Sequence, residues 1–375
     1  MFTDKQVYSK KFFVNEQYQS RELLPVLLWN ASPDLSTSVW FYDVVLDSQN
    51  NIYLGGGMDS GTWDFFVGKY DSSLNQIWNV SYDSGNVDDG SSGIALDSFG
   101  NVYVLGYSDN GLNKDFLAFK YASNGTVLWS VRYDGGGDDW DAGIAVDASN
   151  NVYISGSSNN GVDQDFLTFK YDSTGNEVWN LTYDGGNDDW SSAVAIDNVG
   201  DVYVVGSSDR GSNYSILLFK YDSDGNELWN ATYDEGNESW AQGCAVDGFG
   251  NVYVGGSLPF GAYYRTLLVK YDSSGNELWA VTIDASWDGS WIESIVFDSS
   301  TNVYVTGYSN NGLDGDYFVI KYDSSGNELW NVTYDSGNDD WGSGIAVDGS
   351  GAVYVVGYMN LDPLYPYLVL KYAQE

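Results

Sequence analysis

Seven copies of one pattern of about 50 residues fill most of this 375-residue chain, and this repetition constrains the fold more than any other feature. A tryptophan marks each copy, at Trp29, Trp78, Trp129, Trp179, Trp229, Trp279 and Trp330. A Lys-Tyr pair also recurs seven times, from Lys69-Tyr70 to Lys371-Tyr372. We therefore interpret the chain as one repeat array, although its length alone would suggest two or three ordinary domains.

Each copy contains four short segments rich in β-branched and aromatic residues, which are typical of β-strands. Examples of the second, third and fourth segments are residues 101–106, 115–121 and 227–233. An Asp-Ser-x-Gly-Asn pattern joins the first segment to the second and the third to the fourth, and it favours tight turns. No helical periodicity competes with this pattern. The sequence therefore predicts an all-β fold, a seven-bladed β-propeller of four-stranded antiparallel blades.

The two ends of the array complement each other. The last copy stops after its third strand, at Glu375, whereas a spare fourth strand lies at the other end, from Pro25 to Ala31. We expect this N-terminal strand to complete the last blade and close the ring, which removes an exposed sheet edge. Residues 25–375 are then the propeller, and residues 1–24 are an N-terminal extension.

Two stretches of the sequence carry a resemblance to a known family. Residues 344–357 follow a Gly-Ile-Ala-Val-Asp…Val-Tyr-Val-x-Gly pattern, and residues 316–330 follow an Asp-x-x-x-x-Lys-Tyr-Asp-x-x-Gly-x-x-x-Trp pattern. On these residues the chain resembles the SBBP-type β-propeller repeat proteins over about residues 25–375. The resemblance implies the propeller fold. It also implies a secreted or surface-anchored module of archaea or bacteria, usually without known activity.

Composition excludes several classes of function. The chain has 53 acidic and 15 basic residues, a net charge of −38, no histidine and one cysteine. This charge disfavours nucleic acid and anionic membranes as partners, and no apolar run reaches the ~20 residues of a membrane helix. The absence of histidine excludes Ser-His-Asp and Cys-His catalysis. We expect no catalytic residue and no cofactor other than calcium, and we interpret Cys244 as a buried apolar residue.

The connections between copies carry pairs of aspartates. These residues are Asp88, Asp89, Asp138, Asp139, Asp188, Asp189, Asp339 and Asp340. In a propeller they would lie on one face near the axis, where carboxylates at this density suit a calcium ion. The alternative is that each aspartate caps its own turn and binds no metal.

Aromatic residues at the same end of each blade suggest a ligand surface. They are Trp140, Trp190, Trp240, Trp291 and Trp341, with Phe260, Tyr263, Tyr264 and Tyr365 in two unusual loops. Aromatic faces beside polar groups are suited to binding sugars. The alternatives are that the tryptophans pack in the core and that the two loops have drifted without a function.

Two further patterns repeat with the strands. A lysine of each third strand, as at Lys120, and an aspartate that ends each first strand, as at Asp97, predict structural ion pairs. Asn-x-Ser/Thr sequences predict glycosylation of exported protein. These acceptors are Asn79, Asn124, Asn180, Asn213, Asn230, Asn237 and Asn331.

These features favour a non-enzymatic protein outside the cell or on its surface, although no signal peptide is visible. Its role would be structural, adhesive or in assembly, as the subunit of a surface layer or filament. Residues 1–24 carry a charge of +1 on a very acidic body, so we expect self-association through this extension or binding to surface glycans. The alternative is that the extension covers its own propeller. The alternatives are a lectin-like glycan-binding propeller and a quinoprotein-like or carboxylate-based enzyme.

Overall fold

The protein is described by a computed structural model that covers residues 26–31, 39–85, 87–236, 238–261, 263–283, 289–310, 312–360 and 367–373. These residues form 28 strands in seven four-stranded sheets, which confirms the all-β seven-bladed propeller. No helix with the length and hydrophobicity needed to cross a membrane occurs in these ranges.

The strands are short, with six to nine residues each. In chain order they are β1 (Val26–Ala31), β2 (Val39–Leu46), β3 (Ile52–Asp59), β4 (Trp63–Tyr70), β5 (Gln76–Tyr82), β6 (Asp89–Leu96), β7 (Val102–Asp109), β8 (Lys114–Tyr121), β9 (Val127–Tyr133), β10 (Asp139–Val146), β11 (Val152–Asn159), β12 (Gln164–Tyr171), β13 (Glu177–Tyr183), β14 (Asp189–Ile196), β15 (Val202–Asp209), β16 (Tyr214–Tyr221), β17 (Glu227–Tyr233), β18 (Trp240–Val246), β19 (Val252–Phe260), β20 (Tyr263–Tyr271), β21 (Glu277–Ile283), β22 (Ser290–Phe297), β23 (Val303–Asn310), β24 (Gly315–Tyr322), β25 (Glu328–Tyr334), β26 (Asp340–Val347), β27 (Val353–Met359) and β28 (Tyr367–Ala373).

Each blade uses four strands that are consecutive in the chain, except the last. Blade one is β2 to β5, and the following blades begin at β6, β10, β14, β18 and β22. Blade seven has the order β26, β27, β28, β1, so the N-terminal strand supplies its outer strand as predicted. The first strands of all blades are the inner ones, and β26 contacts β2 to close the ring. Residues 1–24, the predicted extension, lie outside the described residues.

The hairpins alternate between the two ends of the propeller. Turns between first and second strands and between third and fourth strands lie at one end, which we call the turn face. The other connections lie at the opposite end, the loop face. On the turn face, Asp197 accepts hydrogen bonds from the N–H groups of Val199 and Asp201 at 3.0 and 2.9 Å, and Gly200 has a φ of +94°. The repeated Asp-x-x-Gly pattern is therefore a self-capped turn.

The outer tryptophans connect neighbouring blades. Trp179 of β13 donates its indole N–H to the carbonyl of Ser223 in the next blade at 3.2 Å. A Cβ on Gly225 would lie 3.3 Å from the same ring, so glycine permits this close approach. The same bond joins Trp78 to Ser123, Trp129 to Ser173, Trp229 to Ser273 and Trp279 to Ser324. The Trp-to-Gly spacing of the repeat thus reflects contacts between blades.

The repeated lysines and aspartates form ion pairs, as the sequence predicts. Lys120 lies 3.6 Å from Asp97 and 4.6 Å from the centre of the Tyr103 ring, and the Lys120 side chain is almost fully buried. Equivalent ion pairs join Lys69 to Asp47, Lys220 to Asp197, Lys270 to Asp247 and Lys321 to Asp298. These contacts stabilise each blade from within, and they occupy cations that could otherwise bind an anionic ligand.

The hydrophobic core lies between the blades. Each core cluster combines side chains of two neighbouring sheets, as Tyr53 and Phe65 of blade one pack with Val102 and Val104 of blade two. Cys244 is half-buried against such a cluster, and burial raises the pKa of its thiol to about 12. The cysteine therefore behaves as the apolar residue that the sequence predicts.

Candidate functional site

Each inner strand carries a β-bulge at the same position near the loop face. In blade one, Phe41 pairs with Gly56 and Asp43 with Gly55, so Tyr42 lies between them without a partner in the ladder. The equivalent bulge residues are Tyr42, Ser92, Ala142, Ser192, Gln242, Glu293 and Ser343. Bulges redirect side chains and are frequent beside functional sites. We call this set the bulge ring.

The bulge ring differs from blade to blade, unlike the turns and the outer tryptophans. Four positions are serine or alanine, whereas Tyr42, Gln242 and Glu293 have larger polar side chains. Glu293 keeps surface that is open to solvent, but the protein around its carboxyl group removes part of its hydration and raises its pKa to about 7. Tyr42 is 39% exposed, and burial raises the pKa of its phenol to about 12. These groups therefore distinguish their blades on an inner surface that is otherwise repetitive.

Two half-buried aspartates lie beside the bulges. Burial raises the pKa of Asp43 to about 6, although its carboxylate accepts hydrogen bonds from the N–H groups of Val44 and Ile94 at 2.8 and 3.1 Å. Burial also raises the pKa of Asp141, which accepts a hydrogen bond from the Ser92 hydroxyl. Both aspartates therefore link blades, and Glu293 accepts no hydrogen bond from the described residues.

Six aromatic rings follow one another across blades one, seven and six on the loop face. Ring centres are 4.6 Å apart for Trp63 and Trp40, 5.8 Å for Trp40 and Tyr358, and 5.1 Å for Tyr358 and Trp341. The row continues from Trp341 to Tyr308 at 4.6 Å and from Tyr308 to Trp291 at 5.3 Å. Tyr308 is buried and the other five rings are half-buried. We call these six residues the aromatic row.

The five predicted tryptophans are thus divided by the fold. Trp291 and Trp341 belong to the aromatic row, whereas Trp240 stacks on Tyr214 with ring centres 4.1 Å apart. Trp140 is 37% exposed, and the Lys114 ammonium lies 4.4 Å from its ring centre. Trp190 is half-buried. The tryptophans are therefore neither fully in the core nor fully exposed, and they do not form one uniform ring.

The predicted aromatic loop of blade five is exposed. Phe260 and Tyr263 are 53% and 46% exposed, and the Arg265 guanidinium lies 5.5 Å from the Phe260 ring centre. The Tyr264 hydroxyl donates a hydrogen bond to Glu238 at 2.8 Å. Tyr365, in the other unusual loop, lies outside the described residues.

The predicted pairs of aspartates have two different roles. Asp88, Asp138, Asp188 and Asp339 each accept a hydrogen bond from the N–H group near the start of the third strand of the preceding blade. Asp89, Asp139, Asp189 and Asp340 are fully buried, and each accepts an N–H from its own loop. Of these eight residues, Asp139 and Asp189 lie in clusters of three carboxylates whose oxygens are within 4.8 Å of one another. Whether calcium binds stays a prediction.

Most of the predicted glycosylation acceptors are accessible. Asn79, Asn124, Asn180 and Asn230 are exposed, and Asn213 and Asn331 are half-buried. Three of the four exposed residues lie on outer strands, since Asn79 belongs to β5, Asn180 to β13 and Asn230 to β17. Asn237 lies outside the described residues.

Sequence reasoning missed the bulge ring and its neighbouring acids. The available signal was the bulge position of the first strand and its two neighbouring positions, where most copies have glycine, alanine or serine. Asp43, Asp141 and Glu293 are acids at these positions. The tyrosines of the aromatic row, Tyr308 and Tyr358, were also missed, because they replace serine or glycine in the second strand and were interpreted as strand residues.

Comparisons with solved structures agree on the fold. The chain is similar to the Pan2 WD40 domain of Neurospora crassa, with a TM-score of 0.60 and 10% identity over 95% of this chain and 97% of that one. It is also similar to Sqt1 from Chaetomium thermophilum, with a TM-score of 0.50 and 16% identity over 89% and 82% of the two chains. At these identities the likeness shows the fold alone.

A further similar structure is a polysaccharide lyase, an ulvan lyase of family PL25 bound to a GlcA-Rha3S glycan. The TM-score is 0.54 with 10% identity, over 85% of this chain and 93% of that chain. No curated protein matches the sequence. The SBBP family, described as a beta-propeller repeat, matches residues 84–113 and 282–314. The chain therefore carries β-propeller repeats of the SBBP type, at two places in its array.

Proposed function

We propose that this protein is a non-enzymatic propeller outside the cell or on its surface, and that it has an adhesive role through binding a neutral glycan on its loop face. The observation that carries the proposal is the aromatic row. Five of its six rings are half-buried, so each has surface left for a ligand. Sugar rings pack their C–H faces against aromatic faces, which makes such a row a suitable platform for a glycan chain.

The polar groups beside the row support a hydroxyl-rich ligand. Glu293 of the bulge ring supplies a hydrogen-bond acceptor at the inner end of the same face, and its charge interacts with Tyr358 of the row. Carboxylates and amides fix the orientation of sugar hydroxyls, whereas the aromatic faces supply contact area. A ligand that lay across both sets would use the part of the propeller where the blades differ.

The charge of the site favours a neutral rather than an acidic glycan. Glu293, Asp43 and Asp141 lie on the inner strands, and the resolved ion pairs involve no cation with any of these three acids. An anionic sugar would meet repulsion at this face. The similar ulvan lyase is bound to a glycan that contains glucuronate, so we propose glycan binding here without that enzyme's substrate or activity.

The path of the chain supports a surface role. The propeller begins at Val26 and ends at Ala373, and these two residues pair with each other on the turn face. A tether that continues from either residue would leave the loop face pointing away from it. Self-association through residues 1–24 remains part of the proposal, because β1 is the outer strand of blade seven.

The proposal is tested by screening the labelled full-length chain against an array of neutral and acidic oligosaccharides, followed by calorimetric titration of the best ligand. We expect neutral glycans to bind. Trp341→Ala, in the aromatic row, should weaken binding by about 2- to 13-fold, since a lost aromatic contact is worth about 0.5–1.5 kcal/mol. Trp240→Ala is the matched control, because Trp240 occupies the equivalent position outside the row and should retain binding.

Failure of every glycan to bind, or equal losses in the two variants, would contradict a glycan site on the row. The assembly role has its own measurement, which is light scattering of the full chain and of a chain without residues 1–22. Monomers in both samples would exclude self-association through the extension, and would leave the glycan proposal untouched.

A further inference from the structure

We propose that a calcium ion binds where blades three and four meet on the loop face, with Asp165, Asp184 and Asp189 as its ligands. We call such a contact region between two neighbouring blades a wedge. The three residues come from three segments of two blades. Asp165 is near the start of β12, Asp184 follows β13, and Asp189 begins β14. One carboxylate oxygen of each residue lies within 4.8 Å of the other two. This site is separate from the aromatic row and does not depend on the proposed glycan function.

Each carboxylate is positioned by one oxygen and has its other oxygen available. Asp165 Oδ2 accepts from Asn160 at 2.8 Å, Asp184 Oδ1 accepts from the Gly186 N–H at 2.7 Å, and Asp189 Oδ2 accepts from the Gly185 N–H at 2.6 Å. Asp165 and Asp189 are 5% and 0% exposed, and Oδ1 of each is buried without a well-aligned donor among the described residues. The Ser208 hydroxyl interacts with the Asp189 carboxylate. Buried carboxylate oxygens without a donor are costly unless a cation binds them.

The same two positions carry different pairs of residue types from wedge to wedge. The pairs, in chain order, are Asp64 and Asp89, Asp115 and Asp139, Asp165 and Asp189, Ser215 and Ser239, Thr266 and Ser290, Asp316 and Asp340, and Pro366 and Val39. An acid at one position always accompanies an acid at the other. In the wedge between blades five and six, where both are hydroxyls, the contact is direct, since Thr266 Oγ1 lies 2.6 Å from Ser290 Oγ. The two positions therefore change together as one unit.

Two of the acidic wedges have an internal substitute for a metal. In the first, Ser84 donates both its N–H and its hydroxyl to Asp89, so both oxygens of that carboxylate have donors. In the second, the Arg132 guanidinium forms an ion pair with Asp115. Blade three has Thr182 at the position of Arg132, and the described residues supply no Lys or Arg to its cluster.

The donor set fits calcium better than other cations. Three carboxylates on flexible loop and strand ends suit a hard ion that accepts six to eight oxygen ligands at variable geometry. Magnesium demands a closer and more regular octahedron, and zinc prefers nitrogen and sulfur ligands. A cluster of Asp314, Asp316 and Asp335 lies in blade six and at the start of the connection that follows it, and it is a second place where the same ion would bind.

The experiment counts calcium ions bound by the full-length chain after chelator treatment, using equilibrium dialysis in 0.15 M salt (about physiological ionic strength) with excess magnesium. Asp165→Ser/Asp189→Ser should bind one ion fewer than the unmodified chain. The natural Ser215 and Ser239 pair shows that hydroxyls fit this position in a folded blade. Asp184→Asn, at an exposed residue, provides a second variant and should weaken the affinity of the same site by about 10-fold or more.

Arg132→Thr tests the comparison between wedges in the opposite direction. It removes the cation from the Asp115, Asp134 and Asp139 cluster and leaves the same residue types as in the next wedge. We expect it to bind one ion more. An unchanged count in folded Asp165→Ser/Asp189→Ser, or no calcium uptake by the full chain, would overturn the proposal and indicate that the carboxylates share a proton instead.

Discussion

The outer part of each blade and the bulge ring differ in whether the repeat extends to the side chains. At the outer strands the same contact recurs, as when Trp179 donates to the carbonyl of Ser223 and packs beneath Gly225. At the bulge ring the backbone geometry recurs but the side chains differ, from Ala142 to Glu293. Residues that repeat hold the blades together, whereas Glu293, which breaks the repeat, has hydrogen-bonding capacity that the described residues do not use.

The largest expected effect tests the structural side of this comparison. Trp179→Ala removes a contact between blades three and four, and we expect a loss of about 3–4 kcal/mol in the free energy of unfolding, measured by chemical denaturation. Trp140→Ala, at an exposed tryptophan of the loop face, should cost less than about 1 kcal/mol. Equal losses in the two variants would mean that both tryptophans belong to the core and that the comparison fails.

The buried ion pair should give the next effect. Hydrogen bonds from Asn101 and the turn outweigh the cost of burial and hold the pKa of Asp97 below its usual value. Asp97 therefore stabilises the fold above its ordinary pKa, and this contribution is lost as the pH falls. Asp97→Asn leaves the Lys120 charge buried without its partner, so we expect a loss of about 2–3 kcal/mol at neutral pH.

Asp222→Asn is the matched control for that variant. Asp222 accepts hydrogen bonds from the Asp224 and Asn226 N–H groups in the same type of turn, but it is not in a resolved ion pair. Its replacement should destabilise the protein by clearly less than Asp97→Asn. A loss as large as that of Asp97→Asn would show that the turn, rather than the lysine, determines the role of the repeated aspartate.

The pH dependence of stability tests the bulge ring, which is the other side of this comparison. Burial raises the pKa of Glu293 to about 7, so the folded state holds this proton more tightly than the unfolded state does. Its contribution to stability is therefore full at low pH and is lost as the pH rises from about 4.5 to about 7. Glu293→Gln should flatten the melting temperature across this window.

The control for the pH measurement is Ser343→Ala at the neighbouring bulge, which changes no charge. It should keep the slope of the unmodified chain. If Glu293→Gln has the same slope as the unmodified chain, Glu293 titrates as a solvated surface acid and is not part of a specialised site.

Almost all of the fold could be predicted from sequence, because the repeat multiplies each signal seven times. The Asp-x-x-Gly turns, the ion pairs such as Lys120 with Asp97, and the closure by β1 follow from local patterns and from the missing fourth strand. The candidate site could not be predicted in the same way. Its position depends on a bulge, which inserts one residue into a ladder without leaving a mark in composition.

The aspartates show the same limit in more detail. Adjacent residues in the sequence, such as Asp138 and Asp139, point to different partners in the structure. Conversely, Asp115 and Asp139 are 24 positions apart and lie in one cluster. Pairing across a wedge depends on how two blades meet, so adjacent aspartates in the sequence do not reveal which carboxylates lie together.

The smallest expected effect concerns the outer rim. In a host that glycosylates exported proteins, peptide mass spectrometry should find Asn79, Asn124, Asn180 and Asn230 more fully modified than the half-buried Asn213 and Asn331. The reason is access to the side-chain amide, and stability should change little. Preferential modification of the half-buried pair would contradict the exposure pattern of the rim.

The closing strand also determines how the ring would respond to force. Val26 pairs with Ala373 at one end of the β1–β28 ladder, and Ala31 pairs with Val369 at the other. A load that pulls both chain ends apart would open this ladder one hydrogen bond at a time, as a zipper opens. A load between one chain end and a ligand on the loop face would instead pass through the packed blades. An anchor at a single end would therefore keep the ring shut under tension.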